Sequence, residues 1–160
     1  MSTPMRRVLG LIILFTLCIA GRASADLDNA AYERFYNRYV GKWKANVAKS
    51  RYLVGEPPKE APSHTYGVIP GRKGIQYNGG AIHLLDGKDH PVSADRPGAT
   101  ITREVLDEFT IVTSIKQNGR VTSRNTFVVS PDGKFGAFVV MNIDERGEPM
   151  IRSLVYYEKQ

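Results

Sequence analysis

Few side chains in this 160-residue sequence have the types and spacing that catalysis or metal binding requires. The three histidines, His64, His83 and His90, lack the paired spacing of metal ligands, and isolated histidines are more often core or surface residues. The carboxylate pairs at 107–108 and 144–145 would point to opposite faces of a strand, or into water on a turn. No nucleophile-elbow, zinc-protease or phosphate-loop motif is present. We therefore predict no catalytic residue, no metal site and no cofactor.

A second group of side chains suits binding better than catalysis. Polar residues recur in alternating rows that also hold Ile111, Phe127, Met141, Val155 and Tyr157; they are Thr113, Ser123, Asn125 and Ser153. A buried polar group without a partner costs about 1–3 kcal/mol, so such groups need partners, water or a ligand. One interpretation is an apolar cavity with a few fixed polar groups, as in small-molecule sites. The alternative is that the rows face outward or that their polar groups satisfy one another across strands.

On the first interpretation, five side chains are expected to contact a ligand. They are Thr113, Asn125, Met141, Ser153 and Tyr157. A slip of one residue at a β-bulge would turn a whole row to the other face, so this set depends on the strand register.

These side chains belong to a stretch, residues 99–158, in which apolar residues recur at every second position. A period of two indicates half-buried antiparallel strands. Polar turns containing Gly119, Gly133 and Gly147 separate the strands, since glycine readily adopts the positive φ of tight turns. Earlier strands are predicted near 40–47, 64–69, 74–78 and 81–85.

Strands joined by short turns pair with their neighbours, and closure of a long sheet removes its exposed edges. The sequence therefore predicts an all-β fold, a single antiparallel up-and-down barrel of eight or nine strands. Segments 49–62 and 90–98 contain prolines and are expected to be irregular loops.

A short helix is predicted before the first strand, from Asp28 or Asn29 to Tyr39 and ending before Gly41. Its aromatic residues lie on one stripe, at positions Tyr32, Phe35, Tyr36 and Tyr39. The stripe packs on the end of the sheet or, alternatively, forms a lid that contacts a ligand or partner. Trp43, the only tryptophan, is expected to be a core anchor because it buries a large area.

The N-terminus is typical of a secretory signal peptide. Arg6 and Arg7 precede an apolar run at 8–20, which is shorter than the roughly 20 residues of a membrane-spanning helix. Cleavage after Ala25 would leave one domain, residues 26–160, in the periplasm or the medium. It would remove the single cysteine, Cys18, and lower the formal charge from +6 to +3 because Arg22 is lost as well. Neither nucleic-acid binding nor stable membrane insertion of the mature chain is expected.

Several short segments resemble a known family. The Gly41–Lys42–Trp43 triplet, after a short helix, is similar to the first signature of lipocalins. The wider pattern looks like small exported bacterial proteins of lipocalin-like (calycin-type) fold. The matching residues are Gly41, Trp43, Lys44, Asn46, Lys49 and Ser50, followed by segments 86–92, 129–134 and 155–160.

The resemblance implies a β-barrel that binds a small apolar or amphipathic molecule. It also implies that Trp43 packs at the closed end of the barrel beneath a basic residue from a late strand, for which Arg152 is the candidate through a cation–π contact. We thus predict an exported, non-catalytic binding protein. The alternatives are an interaction module with a filled barrel, contacting a protein or envelope partner through its loops, and an isomerase or cyclase at the barrel mouth.

Overall fold

The computed structural model describes residues 29–70 and 73–160. The helices and strands of these residues are α1 (Asn29–Tyr39), β1 (Gly41–Ala45), a short 3-10 helix (Val47–Lys49), β2 (Arg51–Tyr52), β3 (Ser63–Val68), β4 (Gly74–Tyr77), β5 (Ala81–Leu84), β6 (His90–Pro91), β7 (Ala99–Val105), β8 (Thr110–Gln117), β9 (Arg120–Val129), β10 (Phe135–Ile143) and β11 (Pro149–Lys159). The signal peptide predicted at residues 1–25 lies outside the described residues. No helix of the described part is long and apolar enough to span a membrane.

The strands form one antiparallel sheet that curls into a half-barrel. Its order is β5-β4-β3-β1-β11-β10-β9-β8-β7-β6, and β2 pairs with the side of β11 near Ser153. Within the described residues, the prediction of a mostly antiparallel β fold with a short helix before β1 is therefore confirmed. The strand count is higher than expected because β2 and β6, of two residues each, lie within segments predicted to be irregular loops.

The sheet is not closed by strand pairing, which corrects the expectation of a complete barrel. Residues 85–89 connect the two edge strands, β5 and β6. Along this connection the hydrogen-bonding partner changes, because β5 pairs with β4 and β6 pairs with β7. Leu85 N still donates to Lys73 O (2.9 Å), while Gly87 N already donates to Arg103 O (3.0 Å). β5 and β6 are therefore connected through the chain, with no strand pairing between them.

Helix α1 packs its aromatic stripe against the sheet, as predicted. Phe35 is fully buried, and Tyr32 and Tyr39 are nearly so. The Tyr32 hydroxyl donates to Leu85 O, and the Tyr36 hydroxyl donates to Gly74 O (2.7 Å). The helix thereby supplies hydrogen bonds to backbone carbonyls on β4 and just beyond β5, next to the place where the sheet is open.

Trp43 is the core anchor that the sequence predicts. Its side chain is 1% exposed, and its indole N–H donates to Tyr39 O (2.8 Å). Its ring meets Phe127 edge to face, with centroids 5.4 Å apart. Since β1 pairs with β3 on one side and β11 on the other, Trp43 lies where the first and last strands of the chain meet.

Candidate functional site

A row of polar side chains crosses the inner face of the half-barrel. Directly paired positions on successive strands, from β7 to β2, are Arg103, Thr113, Asn125, Val140, Ser153 and Tyr52. Directly opposite residues project to the same face with their Cβ atoms about 4.5–5.5 Å apart. The row is therefore continuous, and its only apolar member is Val140.

The next row on the same face is apolar and aromatic. It consists of Val105, Ile111, Phe127, Phe138 and Val155, again in direct pairing. Phe127 is central, since its ring contacts Trp43, Tyr39, Phe138 and Tyr157. Gly136 on β10 makes room for that ring, because a Cβ there would lie 2.3 Å from Phe127 Cζ.

The facing wall comes from the short strands β3 to β5. The Tyr77 hydroxyl hydrogen bonds to His64 Nδ1 (2.6 Å), and the Tyr77 ring stacks on His83 with centroids 5.2 Å apart. Tyr66 packs against Tyr39 of α1 at 4.5 Å between centroids. Two of the histidines that look isolated in the sequence are thus brought to one wall by strand pairing.

Two neighbouring cavities lie between these walls. The larger, about 260 Å³, is lined by Trp43, His64, Tyr66, Tyr77, Phe127, Phe138 and Tyr157. The smaller, about 140 Å³, is lined by Tyr39, Tyr66, Ile75, His83, Arg103, Ile111, Thr113, Asn125, Phe127 and Phe138. They share Tyr66, Phe127 and Phe138, so a single molecule could extend from one to the other if these rings shift. The larger cavity is mostly aromatic, and the smaller one holds the cation and the amide.

Burial determines the protonation of the groups in the smaller cavity. It raises the pKa of Tyr39 well above its usual value, and it lowers the pKa of His83 to about 4, with the Arg103 charge as a second cause. Burial also lowers the pKa of Arg103, which nevertheless stays charged at neutral pH. With the phenols and the imidazole neutral, Arg103 carries the charge in this cavity.

Three of the five predicted ligand contacts face these cavities. Thr113 and Asn125 line the smaller one, and Tyr157 lines the larger one. Ser153 belongs to the same polar row but lies on β11, outside the lining of both. Each of these four residues therefore points to the inner face.

Met141 is the exception, and its assignment was wrong. The β9–β10 hairpin pairs odd residues of β9 with even residues of β10, so Phe138 lies opposite Phe127 while Met141 lies opposite Arg124. Met141 consequently projects to the other face of the sheet. The turn between the strands sets this offset, which the alternation within each strand does not reveal.

Arg152 is not the basic residue over Trp43 that the resemblance implies. The cation over Trp43 is Lys159, whose Nζ lies 5.4 Å from the ring centroid and donates to Arg38 O (2.9 Å). Lys159 is the direct strand partner of Trp43, whereas Arg152 is the extra residue of a bulge opposite Val140 and Met141. The seven residue steps from Arg152 to Lys159 span about 23 Å along a strand, too far for the contact.

Arg103 is the residue that the sequence reasoning missed. It interrupts the alternating row Ala99, Ile101 and Val105 with the only charged side chain of that row. A single charge in an otherwise apolar row of a strand was the available signal. Among the wall residues, His64 and His83 gave no comparable signal because their strands are short and β4 lies between them in the sequence.

A larger cleft, about 420 Å³, lies beside α1 and the β9–β10 turn. It is lined by Arg34, Asn37, Arg38, Pro131, Asp132, Gly133, Lys134 and Lys159. Three of its four cations already have partners, since Arg34 and Arg38 pair with Glu108 (3.1 and 2.8 Å) and Lys159 donates to a carbonyl. The inner face, with its aromatic lining, is therefore the better candidate for a ligand site.

Comparisons with known proteins do not assign the site. No protein-family model matches this sequence, and no curated protein matches it either. Within residues 29–70 and 73–160, no group of three or more His, Cys, Asp or Glu side chains is placed to hold a metal ion. The geometry of the inner face is therefore what indicates a function.

Proposed function

We propose that this protein is exported and binds a small amphipathic molecule on the inner face of its half-barrel, without transforming it. The observation that carries the proposal is the pair of adjoining cavities lined by aromatic rings and a few polar groups. Small-molecule sites have this composition, with apolar walls for affinity and a few placed polar groups for orientation. The lipocalin-like resemblance of residues 41–50 supports the same reading.

The opening of the sheet supports the proposal further. The smaller cavity takes His83 from β5 and Arg103 from β7, which lie on the two sides of the unpaired edges. Side chains of an incompletely paired region are held by fewer backbone hydrogen bonds than those inside a ladder. Such a region can adjust to admit a ligand at a lower cost than a closed ladder could.

Binding of a neutral apolar fluorophore tests the proposal. We expect N-phenylnaphthylamine to bind residues 26–160 with increased fluorescence. Thr113→Phe should fill the smaller cavity and crowd Phe127 and Phe138, which also line the larger one. It should therefore weaken binding by about tenfold, equivalent to about 1.4 kcal/mol. The matched control is Ser114→Phe, one residue along β8 and therefore on the opposite face, which should leave the affinity unchanged.

Absence of fluorophore binding by the folded wild type would refute the proposal. So would equal affinities of the wild type and Thr113→Phe, because the probe would then occupy another place. Far-ultraviolet circular dichroism and thermal melting of each variant confirm that the fold persists.

The export part of the proposal has its own measurement. The intact mass of the protein recovered from the periplasm or medium should correspond to a chain beginning at Asp26. A lipid-modified Cys18, or a chain that keeps residues 1–25, would contradict cleavage after Ala25.

A further inference from the structure

We infer that the ligand carries a carboxylate, which binds to Arg103 in the smaller cavity while the apolar part of the ligand occupies the larger one. This inference rests on the proposed binding function and adds the chemical class of the ligand. It follows from the placement of one guanidinium at the end of the polar row.

Within residues 29–70 and 73–160, Arg103 has no acidic partner. Among the described residues, none of the ion pairs involves its guanidinium, and its electrostatic neighbours are the phenols of Tyr39 and Tyr66. A half-buried cation in an aromatic cavity is costly unless an anion or several hydrogen-bond acceptors compensate it. A ligand carboxylate would supply a negative charge and hydrogen-bond acceptors. The planar guanidinium can bind it with two parallel hydrogen bonds.

The neighbours of Arg103 favour an anion over a cation. Thr113 lies directly opposite Arg103, and Asn125 lies opposite Thr113. The Ser123 hydroxyl lies 3.0 Å from Met141 O and 3.3 Å from the Asn125 amide oxygen, so the Asn125 N–H groups remain for a ligand oxygen. The hydroxyl of Thr113 can also donate. A carboxylate at this place would thus meet donors from three adjacent strands.

The groups that the structure places around Arg103 add no competing charge at neutral pH. The titratable groups that face Arg103 are Tyr39 from α1, Tyr66 from β3 and His83 from β5. Burial raises the pKa of both phenols and lowers the pKa of the imidazole, so all three are neutral. The positive charge of Arg103 is therefore available to a ligand.

The two cavities bind different parts of the ligand. Tyr66, Phe127 and Phe138 belong to both linings, and beyond them the larger cavity is walled by Trp43, Tyr77 and Tyr157. Aromatic walls bind an alkyl chain or a ring, and the volume of about 260 Å³ admits a short chain. The geometry therefore fits a short amphipathic carboxylate better than a long lipid or a highly charged metabolite.

Two compounds with the same alkyl chain, one ending in a carboxylate and one in a neutral amide, test the inference. Decanoate and decanamide have the same chain, and each is titrated as a competitor of N-phenylnaphthylamine. We expect decanoate to bind the wild type at least about tenfold more tightly than decanamide, because its hydrogen bonds to Arg103 are charge-assisted. Arg103→Met should abolish this preference while still binding decanamide, and Arg103→Lys should retain part of it.

The matched control is Arg120→Met, at an exposed position where β9 begins, which should keep the full preference for decanoate. Equal binding of acid and amide by the wild type would overturn the inference, as would an undiminished preference in Arg103→Met. In both cases probe binding would persist and the proposed function would stand. Failure of the wild type to bind the probe and both competitors would refute the function and the inference together.

Discussion

The two halves of this sheet are built differently. The long-strand half, β7 to β11, has strands of 7–11 residues joined by short turns. The short-strand half, β1 to β5 with α1, has strands of 2–6 residues and longer connections. Long ladders in the first half align side chains into rows, whereas the second half has shorter ladders and several aromatic contacts.

This difference explains where the cavities lie. In the long-strand half, the ladder fixes Arg103, Thr113 and Asn125 side by side on one face. In the short-strand half, Tyr66, Tyr77 and His83 form a wall by ring packing. The two halves share strand pairing at β1 and β11 but none at β5 and β6, so space remains between them on the open side.

The largest effect on stability should follow from removing the Trp43 side chain, which packs where the two halves meet. Trp43→Ala removes a fully buried indole and its hydrogen bond to Tyr39, and we expect a loss of about 3–5 kcal/mol in the free energy of unfolding. Chemical denaturation followed by circular dichroism measures this. Val68→Ala, at a side chain 56% exposed on β3, should change stability by less than about 0.5 kcal/mol. Similar losses in the two variants would refute the anchoring role of Trp43.

Alanine substitutions at two strand glycines compare how tightly the two halves are packed. Gly136→Ala places a methyl group 2.3 Å from Phe127, and the displaced ring should cost about 1–3 kcal/mol. Gly67→Ala on β3 meets nothing closer than 3.7 Å, so its stability should stay equal or rise by up to about 1 kcal/mol. Thermal or urea unfolding of both variants decides the matter. Equal destabilisation would show that the short-strand half is packed as tightly as the long one.

The pH dependence of stability should come from the short-strand wall. The pKa of His83 is about 4 in the folded protein against 6.5 ordinarily, so between these values the unfolded chain binds a proton that the folded chain does not. The free energy of unfolding therefore falls as the pH drops from about 6.5 to about 4, by on the order of 1–2 kcal/mol once solvent screening of this half-buried group is allowed for.

Denaturant titrations across this pH range, on the wild type and on His83→Gln, measure the effect. The variant should lose less stability than the wild type on acidification. The pKa of His64 is also lowered by burial, so part of the dependence should persist in the variant. An unchanged slope in His83→Gln would contradict the assignment.

The smallest effect is expected at the surface contact between α1 and the turn before β8. Glu108 accepts hydrogen bonds from Arg34 and Arg38, and both pairs are partly exposed. Glu108→Gln should cost about 0.3–1 kcal/mol at low salt, and high salt should abolish most of the difference. Unfolding at two ionic strengths tests this. A loss that is large and independent of salt would mean that the ion pairs are more than surface contacts.

The strands were predictable wherever local pattern and turn chemistry agree. Alternation along β8 and β9 identifies both strands, and Asn118 and Gly119 between them both adopt positive φ, as a two-residue hairpin turn requires. Helix α1 and the burial of Trp43 were also predictable from local sequence, since an aromatic stripe and a single tryptophan favour burial against the rest of the protein. The short strands β2 and β6 were missed because two residues carry no period.

The face of the sheet to which each side chain projects was harder to predict, because it depends on how the strands pair. Thr122 is left over by a register shift between β8 and β9, and Arg152 by another between β10 and β11. Each bulge turns the strand beyond it to the other face. Thr113, Asn125, Ser153 and Tyr157 were placed correctly from local pattern, whereas Met141 was not because the β9–β10 offset intervenes.

The sequence by itself determined that the chain forms antiparallel strands behind an aromatic helix, since hydrophobic period and glycine turns act between near neighbours. Only the tertiary structure decided that the sheet stays open at β5 and β6 and that Arg103 meets Tyr39 and His83 there. Those residues come from distant parts of the chain, so their contact depends on strand order and register. A free cation in an aromatic cavity is a property of that arrangement, and no local pattern specifies it.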